Sequence, residues 1–271
     1  MPSPQKLNSQ NLFEIIQNRR SLRQFLDKPI SDETLKQILT AGFRAPFAAQ
    51  LCSVIYTCDS KKIKQLSRIG VYPTTQVLMF FLIDLYRLEK IMNQRGHVYN
   101  FDDAFALWLG LQDVSLVVEN LILAAEAINL GSVLLGAVPH FADQIAEIFK
   151  IPNRAFPVVG LCLGYPDPHE HTEIRPRYPL TFSVYKDKYR DSTNAELLSA
   201  MNVMDQGYLA QNYYRERNAK IPLKTGADKI DYDTYSWCEH ISRKFIHGGY
   251  SKTRLLEILR KHGFKFDLRQ D

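Results

Sequence analysis

The spacing of apolar residues changes period several times along the chain, and each change marks an element. Gln10 to Asn18 carries Leu12, Ile15 and Ile16 at helical spacing, then gives way to Arg20-Ser21-Leu22-Arg23-Gln24-Phe25, which alternates as an extended segment does. Ser31 suits a helix N-cap, with Asp32 and Glu33 at the positive end of the dipole. Leu35, Ile38 and Leu39 supply the stripe, so a helix is predicted up to Arg44, before Pro46. Ser53 to Cys58 reads as a strand and Lys61 to Ser67 as a short helix. Val77 to Ile83 is apolar at every position, as in a central strand buried on both faces.

From Asp102 to Leu130 the positions Leu107, Leu111, Val114, Val117, Val118, Leu121, Ile122 and Ala125 recur at three and four, which predicts a long helix stopped by Gly131. A helix this apolar is either a core axis or a dimer seam. A strand (Ser132 to Leu135), a helix (Phe141 to Lys150) and a strong strand (Pro157 to Gly164) follow. This alternation predicts an α/β or α+β core. Past Tyr185 the chain turns charged and Tyr-rich. Helices are predicted near Thr193 to Arg217, Tyr235 to His247 and Lys252 to His262, which read as an appended extension.

With 45% hydrophobic residues in 271, the chain can bury a sizeable core, which excludes disorder. The net charge of +5 is too mild for a protein that works by clamping nucleic-acid backbones, and points instead to a few small anions. The apolar runs at Val77 to Ile83 and Val114 to Val118 fall short of the roughly 20 residues of a membrane span. Met1-Pro2-Ser3-Pro4-Gln5-Lys6 lacks the order of a secretory signal, so a cytoplasmic location is the expectation. The four cysteines form no CxxC pair and read as free thiols, and His169-Glu170-His171 lies in a Pro-rich loop where solvated side chains are expected in preference to metal ligands.

The sharpest local feature is Arg19-Arg20-Ser21-Leu22-Arg23. Three guanidiniums in five residues repel one another, and a phosphate would relieve that repulsion. A solvated basic face is the alternative. Arg175-Pro176-Arg177 is a second basic pair, and Arg215 and Arg217 stand beside Tyr213 and Tyr214 where they could hold a nucleotide or simply be helix surface. The glycines of Gly131-Ser132-Val133-Leu134-Leu135-Gly136-Ala137 have P-loop spacing without its Lys, and neither GxGxxG nor GxSxG occurs. An NTPase, a Rossmann dinucleotide site and a serine hydrolase are therefore not indicated.

Taken in order, several segments resemble the flavin-dependent nitroreductase family, most closely its oxygen-insensitive NADPH-dependent nitroreductase and flavin reductase branch. They are Arg19 to Phe25 before Pro29-Ile30, Arg44-Ala45-Pro46, Leu130 to Ala137, and Gly160 to Pro166 leading to Arg175-Pro176-Arg177-Tyr178-Pro179-Leu180. The resemblance implies an α+β fold of three layers, sheet and helices, in an intertwined homodimer with FMN at the interface. Residues 1–185 would form the core and 186–271 a helical extension packing on the partner. It further implies that Arg19, Arg20, Ser21, Arg23, Gln50, Leu135, Gly136, Ala137, Arg175 and Arg177 contact FMN and that Arg217 contacts NADPH. Phe47-Ala48-Ala49-Gln50 replaces small hydroxyl or amide residues of the family, leaving Gln50 as the polar contact, and Tyr72-Pro73-Thr74 falls where an Asn or Gln is usual.

The implied activity is ping-pong transfer of hydride from NADPH or NADH, through flavin N5, to a small-molecule acceptor such as a nitroaromatic, a quinone or free flavin. No side-chain nucleophile is demanded, and neither nucleic acid nor membrane is an expected partner. The alternative is a dimeric FMN-binding protein of the same fold with little turnover.

Overall fold

The computed structural model describes residues 12–223, 226–246 and 255–266. These fall into two compact units, the first holding the described residues up to Thr172 and 255–266, the second those from Glu173 to 246. The division thus lies ahead of Tyr185, and the last helix counts with the first unit instead of the extension.

The first unit is built on an antiparallel sheet of four strands in the order β1 (Cys52–Thr57), β2 (Val77–Asp84), β4 (Ala155–Gly164), β3 (Gly131–Leu135). The all-apolar β2 does lie inside the sheet. Val77, Met79, Phe81 and Ile83 join one apolar layer, while Leu78, Phe80 and Leu82 join the other, the period of two that a strand imposes. Pro157 is tolerated in β4 because the pairing shifts there: Phe81 faces Val159 and Leu82 faces Pro157, so Val158 is an extra residue.

One face is covered by α2 (Asp32–Gly42), α5 (Asp103–Glu126) and α11 (Leu255–Lys261), through Leu35, Ile38, Val117, Leu121, Ile258 and Leu259. The other takes Ile63 of α3 (Ser60–Gln65), Ile145 of α6 (Ala142–Phe149), and Leu22 and Phe25 from the extended segment. α1 (Leu12–Asn18) precedes that segment, and α4 (Leu85–Gln94), which the apolar pattern did not reveal, follows β2 directly with Asp84 as its N-cap. The Ser31 cap is present, its Oγ accepting from the Thr34 N–H at 3.1 Å.

Two expectations about the long helix are corrected. The long helix ends at Glu126, not at Gly131. Asn129 adopts a left-handed φ of 61°, the Leu130 N–H returns to the Ala125 carbonyl, and Gly131 opens β3. Nor is the chain without a helix of membrane-spanning length and composition: α5, 24 residues long, meets both criteria. Its buried positions are packed on α2 and β2 and include Asp113, which fits a core helix.

The second unit carries α7 (Leu180–Ser183), α8 (Asn194–Ala210), α9 (Tyr213–Glu216) and α10 (Trp237–Ile246). α8 starts in a reciprocal capping box between Thr193 and Glu196. The single helix expected from Thr193 to Arg217 is broken at Asn212, whose φ is 46°. Arg243, only 2% exposed, ties this unit together through Asp228, Glu239 and the Ile221 carbonyl.

Candidate functional site

The extended segment after α1 is stitched along β3 and onto the end of β4. Ser21 bridges in parallel to Ser132, with the Leu22 N–H on the Ser132 carbonyl at 2.9 Å, and Phe25 bridges to Pro166. Glycines make the seat: a Cβ at Gly131 would lie 2.5 Å from Leu22 Cδ1, and one at Gly164 would lie 2.6 to 2.8 Å from three carbons of Phe25. With Leu22 and Phe25 driven into the core, the intervening Arg23 stays half-buried at the surface.

The Arg23 side chain is fixed by two neutral partners, one side chain and one backbone carbonyl. Its Nε donates to the Tyr72 hydroxyl at 3.1 Å and its Nη1 to the Ser21 carbonyl at 3.0 Å. The Glu170 carboxylate serves the backbone instead, accepting from the N–H groups of Arg23 (2.8 and 3.0 Å) and Gln24 (2.9 Å) and from the Thr172 hydroxyl. Among the described residues no carboxylate stands within ion-pair distance of Arg19, Arg20 or Arg23. The acidic group that Arg19 and Arg20 do influence is Glu126, the last residue of α5. Burial pushes its carboxyl up to about 7 against the pull of the two arginines, and its Oε1 is buried without a hydrogen-bond partner. Arg19 and Arg20, beside β3, thus have Glu126 as a charge neighbour and no carboxylate at ion-pair distance among the described residues.

β3 runs on into the turn Leu135-Gly136-Ala137. Gly136 is exposed, its φ is not left-handed, and a Cβ there would meet no atom of the chain within 4 Å. Nothing within the chain requires glycine at this point, and the space above it is open.

Gln50 belongs to a different place. Its φ is 52° and its carbonyl accepts from Arg87 Nη2 at 2.5 Å. The loop around it hangs on Asp113, 1% exposed, whose carboxylate accepts from the N–H groups of Ala48 (2.6 Å), Ala49 (3.3 Å) and Leu51 (2.8 Å). Asp113 and Glu126 are 13 residues apart on one helix, from 126 − 113, which at 1.5 Å per residue is roughly 20 Å. Along α5, therefore, Asp113, which holds the Gln50 loop, stands well apart from Glu126, the acidic group whose charge Arg19 and Arg20 influence.

In the second unit, Arg175 and Arg217 both lie over the ring of Tyr213, at 4.1 and 4.8 Å from its centroid, and Arg175 also donates to Gln211 Oε1. Arg177 Nη1 bonds the carbonyls of Arg175 and Pro176, each at 3.0 Å. Arg215 is paired with Asp233, and Tyr214 is buried against Tyr208 and His240, so of these four neighbours only Tyr213 and Arg217 keep the nucleotide-facing option.

Sequence reasoning missed Asp113, Glu126 and the anchoring role of Glu170. Asp113 and Glu126 carry a weak signal, acidic residues inside an otherwise apolar helical stripe. Glu170 carries none, because the backbone groups it anchors lie almost 150 positions away.

The residues fit a flat cofactor with a phosphate tail: guanidiniums outside ion-pair distance of carboxylates for the anion, and an open glycine turn at the end of the same strand for close approach of a ring. Fold and site together define an α+β protein with an arginine-rich segment seated along one strand of an antiparallel sheet and no Rossmann motif. The chain belongs to the nitroreductase family, whose profile matches residues 16–165. It is 32% identical over 265 residues to an NADPH-dependent oxidoreductase of Staphylococcus haemolyticus, covering 94% of this chain and 98% of that one. Among solved structures it matches the NADPH:FMN oxidoreductase from Vibrio harveyi complexed with NAD+, with 25% identity, coverage of 94% and 98%, and a TM-score of 0.75. B. megaterium NfrA2, at 23% identity, coverage of 95% and 99% and a TM-score of 0.80, shares the fold.

Proposed function

We propose that this protein is an FMN-dependent NAD(P)H oxidoreductase that reduces nitroaromatics, quinones or free flavins by a ping-pong route, as a homodimer with a site at each end of the subunit interface. The observation that carries the reading is the arginine segment seated along β3, the strand that runs on into the open Gly136 turn, with no carboxylate at ion-pair distance of Arg19, Arg20 or Arg23 among the described residues. FMN held here would supply the two-electron redox chemistry that links the nicotinamide to the acceptor. Arg19, Arg20 and Ser21 hold the phosphate. Arg23 places a fixed positive charge beside the ring, and the Leu135-Gly136-Ala137 turn brings backbone N–H groups to its edge with no side chain intervening. The same reading takes Arg175 and Arg177 as further FMN contacts and Arg217 as the contact for the NADPH 2′-phosphate.

Two features support the dimer. Phe105, Trp108, Leu111 and Leu116 of α5 are 41 to 62% exposed on a helix that is apolar on its buried side as well. The separation along α5 of Asp113, which holds the Gln50 loop, from Glu126 also suits a site completed by Gln50 of the partner subunit.

The first test is the visible spectrum of the purified protein before and after anaerobic addition of NADPH. Flavin bands that bleach support the assignment. Bands that persist with both nicotinamides favour a binding protein without turnover, a reading motivated by Phe47 and Tyr72. In parallel, Arg23→Ala and Arg177→Ala should each weaken FMN binding about tenfold or more, since charge-assisted hydrogen bonds are lost. Full retention of affinity in both variants would sink the cofactor assignment.

A further inference from the structure

Arg23 is the most firmly held of the three arginines in this segment, and Tyr72 supplies the side-chain grip. Tyr72 Oη accepts from Arg23 Nε at 3.1 Å, while the Tyr72 ring packs against the second apolar layer. The segment that carries it is bound to the arginine segment a second time, the Phe25 N–H donating to Thr74 Oγ1 at 3.1 Å, and it closes on itself through the Thr75 N–H and the Tyr72 carbonyl. A guanidinium has five N–H donors. Tyr72 and the Ser21 carbonyl take one each, leaving both hydrogens of Nη2 and one of Nη1 for a ligand. Both protein partners are neutral, so they fix the direction of the fork without cancelling its charge.

We propose that Tyr72 is a positioning residue for Arg23, and that through it the site sets its preference for the reduced, negatively charged cofactor over the oxidised one. The inference rests on the reading that places FMN at the arginine segment. A positive charge held in one orientation stabilises a charge that exists in only one redox state, whereas a mobile one must be ordered each time, at a cost in side-chain entropy. Because the phenol accepts from Arg23, its own O–H proton points elsewhere and does not compete for the guanidinium.

The test uses the FMN-loaded protein and Tyr72→Phe, which keeps the ring packed and removes only the hydroxyl. Oxidised FMN should bind within about twofold of the parent, because the phosphate contacts remain. The ratio of affinities for reduced over oxidised FMN should fall about tenfold, which for a two-electron couple is a midpoint potential about 30 mV more negative. In an Arg23→Lys background, which lacks the Nε–H, the Tyr72→Phe change should add no further shift. An unchanged potential in Tyr72→Phe, or the same fall in both backgrounds, overturns the inference while leaving the FMN reading intact. A parent protein that takes up no FMN overturns that reading, and the inference with it.

Discussion

Glu126 makes the stability of the cofactor-free protein fall as pH rises from acid to neutral. Its carboxyl sits at about 7, against an ordinary value of 4.5, because burial outweighs the attraction of Arg19 and Arg20. Its position as the last residue of α5 adds to this, since the negative end of a helix dipole disfavours a second negative charge. A carboxyl raised in the folded state holds its proton after the unfolded chain has released it. The contribution of Glu126 to stability is therefore greatest below pH 4.5 and declines through the interval up to about 7. Each pH unit of that interval is worth about 1.4 kcal/mol, an upper bound of about 3 kcal/mol. Solvent screening of the part-exposed side chain reduces it to about 1–2 kcal/mol. Glu126→Gln removes the proton linkage and keeps the shape. Urea unfolding of parent and variant should show nearly equal stability at pH 5, and the variant ahead by about 1–2 kcal/mol at pH 8. A difference between the two proteins that is the same at both pH values would refute the reasoning.

Asp113→Ala removes the acceptor of three backbone N–H groups at a site 1% exposed. It should cost about 3–5 kcal/mol in chemical denaturation, and a loss under 1 kcal/mol would mean the loop finds other acceptors. The two glycines at the site should separate. Gly136→Ala meets no atom of the chain and should leave thermal stability of the cofactor-free protein within about 2 °C of the parent while weakening FMN binding in a fluorescence titration. Gly164→Ala forces a methyl to within 2.6 Å of Phe25 and should lower stability by about 1–3 kcal/mol. Equal effects of the two on folding would show that Gly136 has a packing role after all.

How far the chain could be read ahead of its structure differs by element. β2 was legible because burial on both faces demands an unbroken apolar run, and α2 because Ser31, Asp32 and Glu33 mark its start locally. α4 was not read, although Leu85, Leu88 and Met92 stand at helical spacing, because Leu85–Gln94 follows the apolar run of β2 without a break. The end of α5 was misplaced because the residue that turns the chain is Asn129, which takes the left-handed conformation without announcing it as a glycine would.

At the site the same division holds. Three arginines in five residues are a local fact, and their mutual repulsion already asks for an anion. By itself the sequence determined the strand and helix periods, the charge, and the order of motifs that carries the family resemblance. Tertiary structure alone decided which carboxylates stay away from those arginines, that Glu170 spends its oxygens on backbone N–H groups, that Tyr72 grips Arg23, and that Asp113 anchors the Gln50 loop roughly 20 Å along α5 from Glu126. Repulsion and periodicity act between near neighbours and are written in the chain. Compensation and desolvation depend on which distant groups meet, and those meetings exist only once the chain has folded.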